Sequence, residues 1–435
     1  MFLLSVGHVI ASYGGLGTLI KRASKISMNE IWLLSIVFGG FLVFGLSENV
    51  KGPAIPRMQL DFGLNEGQLG LMLALNSLGY LVACSFTSFL ADRVGIKATS
   101  IAAFVSMAAG GVLIGISNGF QALTASYFFM YIGNGMLEIA LAILAARIFV
   151  KNTGFLMNLA HFFYGLSSIV APIAAASMMG WRLPGGDAAL GWRGMYVIVL
   201  MLSLLPVIPA LLGRLPVEPA HDEAEERISY SKLMRDPVAW LIVLVLTSGV
   251  ISELSIGSWL ANFLEKAYDW SPTDASGMLS AFFLCFTLAR LLIGPLTDRF
   301  GYTLSIMVLS LSSGICSIAA LFAGESGAML FALAGVGIAP IYPTVMALLA
   351  KRYPRGTGTA ITFTVTLMGI GSVLGNLAIG GLIEGVRNLY AGRGERASQV
   401  LGLQAGYGFI GAMALLCTAA CLVLYFYLRK RGERY

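Results

Sequence analysis

The chain has 435 residues, 57% of them hydrophobic and only 11% charged, with 52 glycines and a formal charge of +6. A soluble chain of this length needs far more charge to cover its surface, so lipid is the solvent of most of this one. The positive balance lies in short loops between apolar runs, where topology explains it and no nucleic-acid partner is needed.

Residues 1–30 open on an apolar, glycine-rich stretch that Lys21, Arg22 and Lys25 follow. A signal peptide carries its charge before the apolar run, so that reading fails; the segment reads as a cytoplasmic or interfacial leader, with a thirteenth span as the alternative. Twelve apolar runs then follow, each long enough to cross a ~30 Å hydrocarbon core as a helix. They are predicted near 31–54, 66–91, 98–118, 121–147, 153–180, 194–213, 238–264, 273–297, 303–323, 327–350, 358–386 and 402–428. Residues 31–213 make an N-terminal six-helix bundle and 237–428 a C-terminal one. The polar interval 214–236, with its charged run His221–Arg227, is a cytoplasmic linker, and 429–435 is a basic cytoplasmic tail. Of the 28 Lys and Arg residues, 19 fall on the side that holds both termini and the linker. That bias predicts a multi-pass protein of the cell membrane with both termini cytoplasmic.

The two halves echo each other. Leu90-Ala91-Asp92-Arg93-Val94-Gly95 closes the second run and Leu296-Thr297-Asp298-Arg299-Phe300-Gly301 the eighth, with the aspartates 206 residues apart. Glu48 and Glu253 are 205 apart, as are Arg147 and Arg352 at the inner ends of runs four and ten. A period of this length is the signature of a duplicated helix bundle.

An ionised side chain mid-span costs about 2.5–3.5 kcal/mol on the lenient insertion scale, so each needs a reason. Glu48, Glu138, Glu253 and Arg290 stand out. Glu48 lies ~25 Å from the inner end of its run and Glu138 ~14 Å. One arginine cannot neutralise three carboxylates, so some of them are expected to line a watery passage. There a carboxyl group can load and release a proton as access alternates. Glu48 and Glu138 are the candidate proton sites, and Glu253 is a candidate solute contact. The repeat counterpart of Glu138 is Pro343, in Ala339-Pro340-Ile341-Tyr342-Pro343, which predicts a broken helix with freed carbonyls beside the passage. His161 and the amides Asn76, Asn134, Asn158 and Asn376 are polar points in apolar runs. Each reads either as a helix–helix hydrogen bond or as a solute contact.

Enzyme signals fail. Gly115-Ile116-Ser117-Asn118-Gly119 matches a nucleophile-elbow pattern but has no strand before it and reads as a turn. There is no G-x-x-x-x-G-K-[ST] loop, no H-E-x-x-H, and the five cysteines have no metal-ligand spacing. No catalytic residue, metal or cofactor is expected. Gly111/Gly115 and Gly371/Gly375 read as close-packing contacts between helices.

The doubled Asp92-Arg93-x-Gly95 and Asp298-Arg299-x-Gly301 loops in a six-plus-six layout resemble the major facilitator superfamily over residues 31–430. The resemblance implies an all-α fold of twelve transmembrane helices in two pseudo-symmetric six-helix bundles. It also implies an inner gate made by Asp92, Arg93, Gly95, Asp298, Arg299 and Gly301 with Arg147 and Arg352. Ser88 and Tyr302 depart from the family pattern, which implies an asymmetric gate. Gly52-Pro53-Ala54-Ile55-Pro56, Gly133-x-Gly135-x-x-Glu138, Asn158-Leu159-Ala160 and Glu253 with Trp259 resemble the fucose–proton symporter branch. That resemblance implies Glu48 and Glu138 in sugar and proton handling, with Trp259 and Tyr342 as aromatic surfaces for a sugar.

The expected function is thus secondary active transport, not catalysis: proton-coupled uptake of a small hydrophilic solute such as a sugar, by alternating access. The expected partners are that solute, protons and the bilayer, with the chain working as a monomer. Proton-coupled efflux of amphipathic compounds is the alternative and predicts an aromatic, weakly polar cavity. A non-transporting receptor or scaffold predicts a sealed interface with every buried charge paired.

Overall fold

The computed structural model describes residues 27–148, 153–182, 188–214 and 228–433, and the side chains of Asn158 and Asp298 fall outside what it describes. The leader up to residue 26 and linker residues 215–227 are likewise outside the described residues. Twelve helices are long and apolar enough to cross a membrane. In order they are Met28–Phe62, Glu66–Val94, Ile96–Gly115, Phe120–Ile148, Thr153–Met179, Gly191–Leu212, Pro237–Tyr268, Pro272–Phe300, Tyr302–Ala323, Met329–Arg352, Thr357–Leu389 and Glu395–Lys430, here spans one to twelve.

The starts of these helices follow local chemistry. Ser27 with Glu30 and Asn65 with Gln68 form reciprocal capping boxes, and Asp236 and Ser271 cap spans seven and eight just before Pro237 and Pro272. Each cap satisfies amides that have no partner inside the helix. Gly95 and Gly301 end spans two and eight with φ of 85° and 88° and ψ of 148° and 143°. This left-handed backbone favours glycine, and finding it twice shows the duplication at the level of single torsions.

Span one departs from the sequence reading. The helix does not stop at residue 54. It bends at Val50 and continues as Lys51–Phe62 through Pro53 and Pro56. A proline in the first turn of a helix removes no intrahelical bond, so the bend at Val50 allows Pro53 to sit in a fresh first turn. Lys51, just past the bend, is buried at 7% exposure. Span ten is broken at Ala339–Pro340, between Met329–Ile338 and Ile341–Arg352, as the Pro340/Pro343 pair requires.

Spans one to six pack together and spans seven to twelve do likewise, and the halves meet chiefly as span two on eleven and span five on eight. Under the half-chain repeat each of these contacts is the image of the other. The ends of spans one, six, seven and twelve define a linker face, where Asn29 bonds the Arg214 carbonyl at 2.9 Å and Arg352 pairs with Glu433 at 3.1 Å. The loops after spans one, seven and eleven define the opposite, far face.

Towards the far face, spans two and eleven touch backbone to backbone. A Cβ added at Gly70 would stand 2.7 Å from the Gly380 Cα, and the converse distance is the same. Gly111 and Gly115 pack against span six, and Gly371 and Gly375 against span seven, so these pairs serve within a half. Gly70→Val should force spans two and eleven apart at a cost of about 1–3 kcal/mol. We expect roughly ten-fold faster labelling of a cysteine introduced by Ser77→Cys, by a membrane-impermeant maleimide added at the far face.

Candidate functional site

A cavity of about 250 Å³ lies between the halves. Spans one, two, four and five line it on one side, and spans seven, eight, ten and eleven on the other. Among the described residues, none from spans three, six, nine or twelve reaches it. Glu48, Glu138, Glu253 and Arg290 all face this space, together with Lys51.

Their surroundings differ. Glu48 is in contact with Lys51 one turn along the same span, and Asn134 Nδ2 donates to its other carboxylate oxygen at 3.1 Å. Lys51 Nζ also donates to the Tyr131 hydroxyl at 2.8 Å. Glu253 accepts from Arg290 Nη2 at 3.5 Å. Arg290 Nε donates to the Ala339 carbonyl at 3.0 Å, the oxygen that Pro343 has no N–H to bind. The guanidinium carbon stands 4.3 Å from the centre of the Phe286 ring. Glu138 accepts the Tyr80 hydroxyl, and among the described residues no cation forms an ion pair with it.

Other expected contacts sort unevenly. Asn76, His161, Tyr342 and Asn376 line the cavity. Asn76 is 2% exposed with neither amide atom bonded, whereas Asn376 donates to Ser77 across the interface at 3.2 Å. His161 packs its ring 5.1 Å from Phe41. Asn134 does not reach the cavity. It is fully buried, accepts from Ser47 at 2.8 Å and holds Glu48 from behind. Trp259 is a correction, because it is 1% exposed and packs beside Phe263 and Tyr407 inside the C-terminal half. At about 100° per residue it falls opposite the helix face that carries Val250, Glu253, Leu254 and Ser258 to the cavity. Lys51, Tyr80, Tyr131 and Tyr164 line the cavity without having been singled out from the sequence. Lys51, three residues after Glu48 within the predicted run 31–54, was legible as its i,i+3 partner. The tyrosines carried no such signal.

The sequence profile of the Major Facilitator Superfamily matches residues 37–375 and 251–435. The chain belongs to that superfamily. It is a multi-pass membrane transporter and not an enzyme. An uncharacterized MFS-type transporter of Yersinia pestis is 26% identical over 78% of this chain and 86% of its own. Among solved structures, a bacterial homologue of the human lysosomal transporter Spinster, inward-facing and unoccupied, superposes with a TM-score of 0.78 at 14% identity. That match covers 94% of this chain and 99% of the other. The D-xylose–proton symporter gives 0.70 at 14% over 91% and 97%, and the Escherichia coli fucose:proton symporter 0.55 at 19% over 89% and 98%. At these identities the likeness is one of fold.

Among the described residues, Asp92, Arg93, Arg299 and Arg352 make no ion pair across the halves at the superfamily loop motif. Asp92 and Arg93 are exposed, and among the described residues Asp92 has no ion pair, while Arg93 lies over the Phe89 ring at 4.9 Å. Arg299 is exposed as well, and Arg352 turns to Glu433 within its own half. Lys351 sits over the ring of Tyr302, one of the two departures from the family pattern, at 5.4 Å. Nearby, burial and the Asp236 carboxylate raise the Tyr353 hydroxyl above its ordinary value, and it donates to Asp236 at 2.8 Å.

The far face is latched instead. Glu66, 1% exposed, accepts from Lys266 at 2.8 Å and from Arg387 at 3.4 Å, and both cations belong to the other half. Lys266 also donates to Gln59 at 2.9 Å, and Arg57 is paired with Glu265. Removing one member of a buried pair strands its partner, at about 3–5 kcal/mol. Glu66→Gln should therefore loosen this face. Hydrogen exchange of amides near 59–70 and 380–388 should accelerate at least ten-fold while the linker-face ends stay unchanged.

Proposed function

We propose that this transporter couples a proton to the movement of a small hydrophilic solute, a sugar or related polyol, through the cavity between its halves. The observation that carries the reading is Glu138. Glu48 has Lys51 and Glu253 has Arg290, but among the described residues Glu138 has only the Tyr80 hydroxyl beside the cavity. A carboxyl group with no fixed cation can be neutral when protonated or draw charge when ionised, which is what a coupling site needs. Of the two candidate proton sites in the sequence, this favours Glu138 and gives Glu48 the role of orienting Lys51.

The lining supports a small polar solute. Amides, carboxylates and hydroxyls from both halves converge on one space, interleaved with Phe41, Phe44 and the tyrosines, which can cover the apolar face of a sugar ring. A volume of about 250 Å³ falls below the roughly 300–1,000 Å³ of sites for drug-sized ligands, which weighs against efflux of large amphipathic compounds. An open cavity between the halves weighs against a silent scaffold. Sharing a fold with xylose and fucose symporters agrees with this reading. In it the chain works as a single copy in the cell membrane with its linker face cytoplasmic, and the two bundles rock about the cavity. Each proton moved down 100 mV supplies about 2.3 kcal/mol.

Glu138→Gln fixes the neutral form. In proteoliposomes it should leave solute counterflow within a few-fold of the parent while abolishing accumulation driven by a pH gradient. Retained pH-driven accumulation in this variant would refute the assignment. Tyr80→Phe, which removes the hydroxyl that stabilises ionised Glu138, should shift the pH of half-maximal accumulation while leaving counterflow intact.

A further inference from the structure

The two cations in the cavity are not equally occupied. Lys51 is spent on Glu48 and Tyr131. Arg290 is held at its inner edge, through Nε on the Ala339 carbonyl and its face on Phe286. Its outer edge is different. Nη2 reaches Glu253 only at 3.5 Å, the outer limit of a hydrogen bond, and Nη1 has no partner among the described residues. The side chain is 27% exposed and lines the cavity. A guanidinium fixed in this way presents a planar fork, the shape that binds a carboxylate through two parallel hydrogen bonds. A buried charge left with such sparse contacts is costly unless something else completes them.

A second observation points the same way. Asn76, 2% exposed, lines the same cavity with both amide atoms unbonded. A buried donor and acceptor without partners together forfeit several kcal/mol unless a ligand or water meets them. The pair suits a hydroxyl group, which donates and accepts at once.

We infer that the transported solute is a hydroxylated carboxylate, such as a sugar acid, whose carboxylate takes the Arg290 fork while a hydroxyl meets Asn76. This rests on the transport reading above and narrows its substrate class from neutral sugars to acidic ones. Glu253 is then the internal competitor for Arg290. Two ionised carboxylates cannot share one guanidinium in a low-dielectric cavity without repulsion, so solute binding and protonation of Glu253 go together. The charged and titratable groups around Glu253 are Arg290 from span eight, His161 and Tyr164 from span five, and Tyr342 from span ten. Glu48 with Lys51 and Glu138 face it across the cavity. None of these supplies a second free cation.

The test uses the full-length protein in detergent or nanodiscs and two matched pairs of probes, D-galacturonate against D-galactose and D-glucuronate against D-glucose. We expect the acids to raise the melting temperature, more at pH 6 than at pH 8, and the neutral sugars to have little effect. Arg290→Lys keeps the charge but loses the fork, and should weaken acid binding at least ten-fold. Glu253→Gln removes the competitor and should bind the acids with a flattened pH dependence. Thermal stability without ligand shows that each variant is folded, and the Glu253 variant keeps the test alive if the Arg290 variant is not. Neutral sugars binding as well as their acids, acids binding equally well to Arg290→Lys, or no response to either acid would overturn the inference. Neutral-sugar accumulation that depends on Glu138 would leave the proton-coupled reading standing and remove only the acid. Acid binding that depends on Arg290, with coupling indifferent to Glu138→Gln, would do the reverse.

Discussion

The expense of holding ionised groups away from water governs this molecule. Five charged side chains face one cavity, and the protein meets their cost in different ways. Lys51 and Glu48 satisfy each other on a single helix, with Asn134 and Tyr131 completing the shell. Arg290 and Glu253 meet across two helices at a longer distance. Glu138 has a hydroxyl alone. In the proposed mechanism this gradation, from closed pair to loose pair to single carboxylate, would separate structural charge from charge free to respond to protons and solute.

The packing obeys a second constraint. Spans two and eleven can close only where both present glycine, at Gly70 and Gly380, and Glu66 on the next turn accepts cations from the opposite half. Steric fit and electrostatics therefore act on the same few residues of the far face. On the linker face Asp92, Arg93 and Arg299 of the duplicated loops are exposed, and the loop glycines keep matching torsions.

Much of this was legible in the sequence because membranes make the rules strict. Apolar length located all twelve spans, and the cost of buried charge picked out Glu48, Glu138, Glu253 and Arg290 before any geometry was known. The Pro340/Pro343 pair announced the break in span ten. What escaped depended on tertiary context. Lys51 was obscured by two prolines that usually mark a loop, yet here Pro53 sits in the first turn of a new helical segment and Pro56 inside it. Trp259 shares a span with Glu253 but lies on its opposite side, which becomes visible only when the cavity face is known. Tyr80, the partner of Glu138, resembles any other aromatic residue in an apolar run, since nothing in a linear sequence brings residue 80 to residue 138.

The bond from Arg290 to the Ala339 carbonyl has a mechanical reading. The same guanidinium that faces the cavity also props the elbow of span ten, whose lower segment ends at Arg352 on the linker face. Displacing it would leave that oxygen without a donor, a loss of about 1–3 kcal/mol. One side chain thus ties the cavity wall to the joint of a neighbouring helix, so whatever draws Arg290 away from span ten must also find that joint another donor.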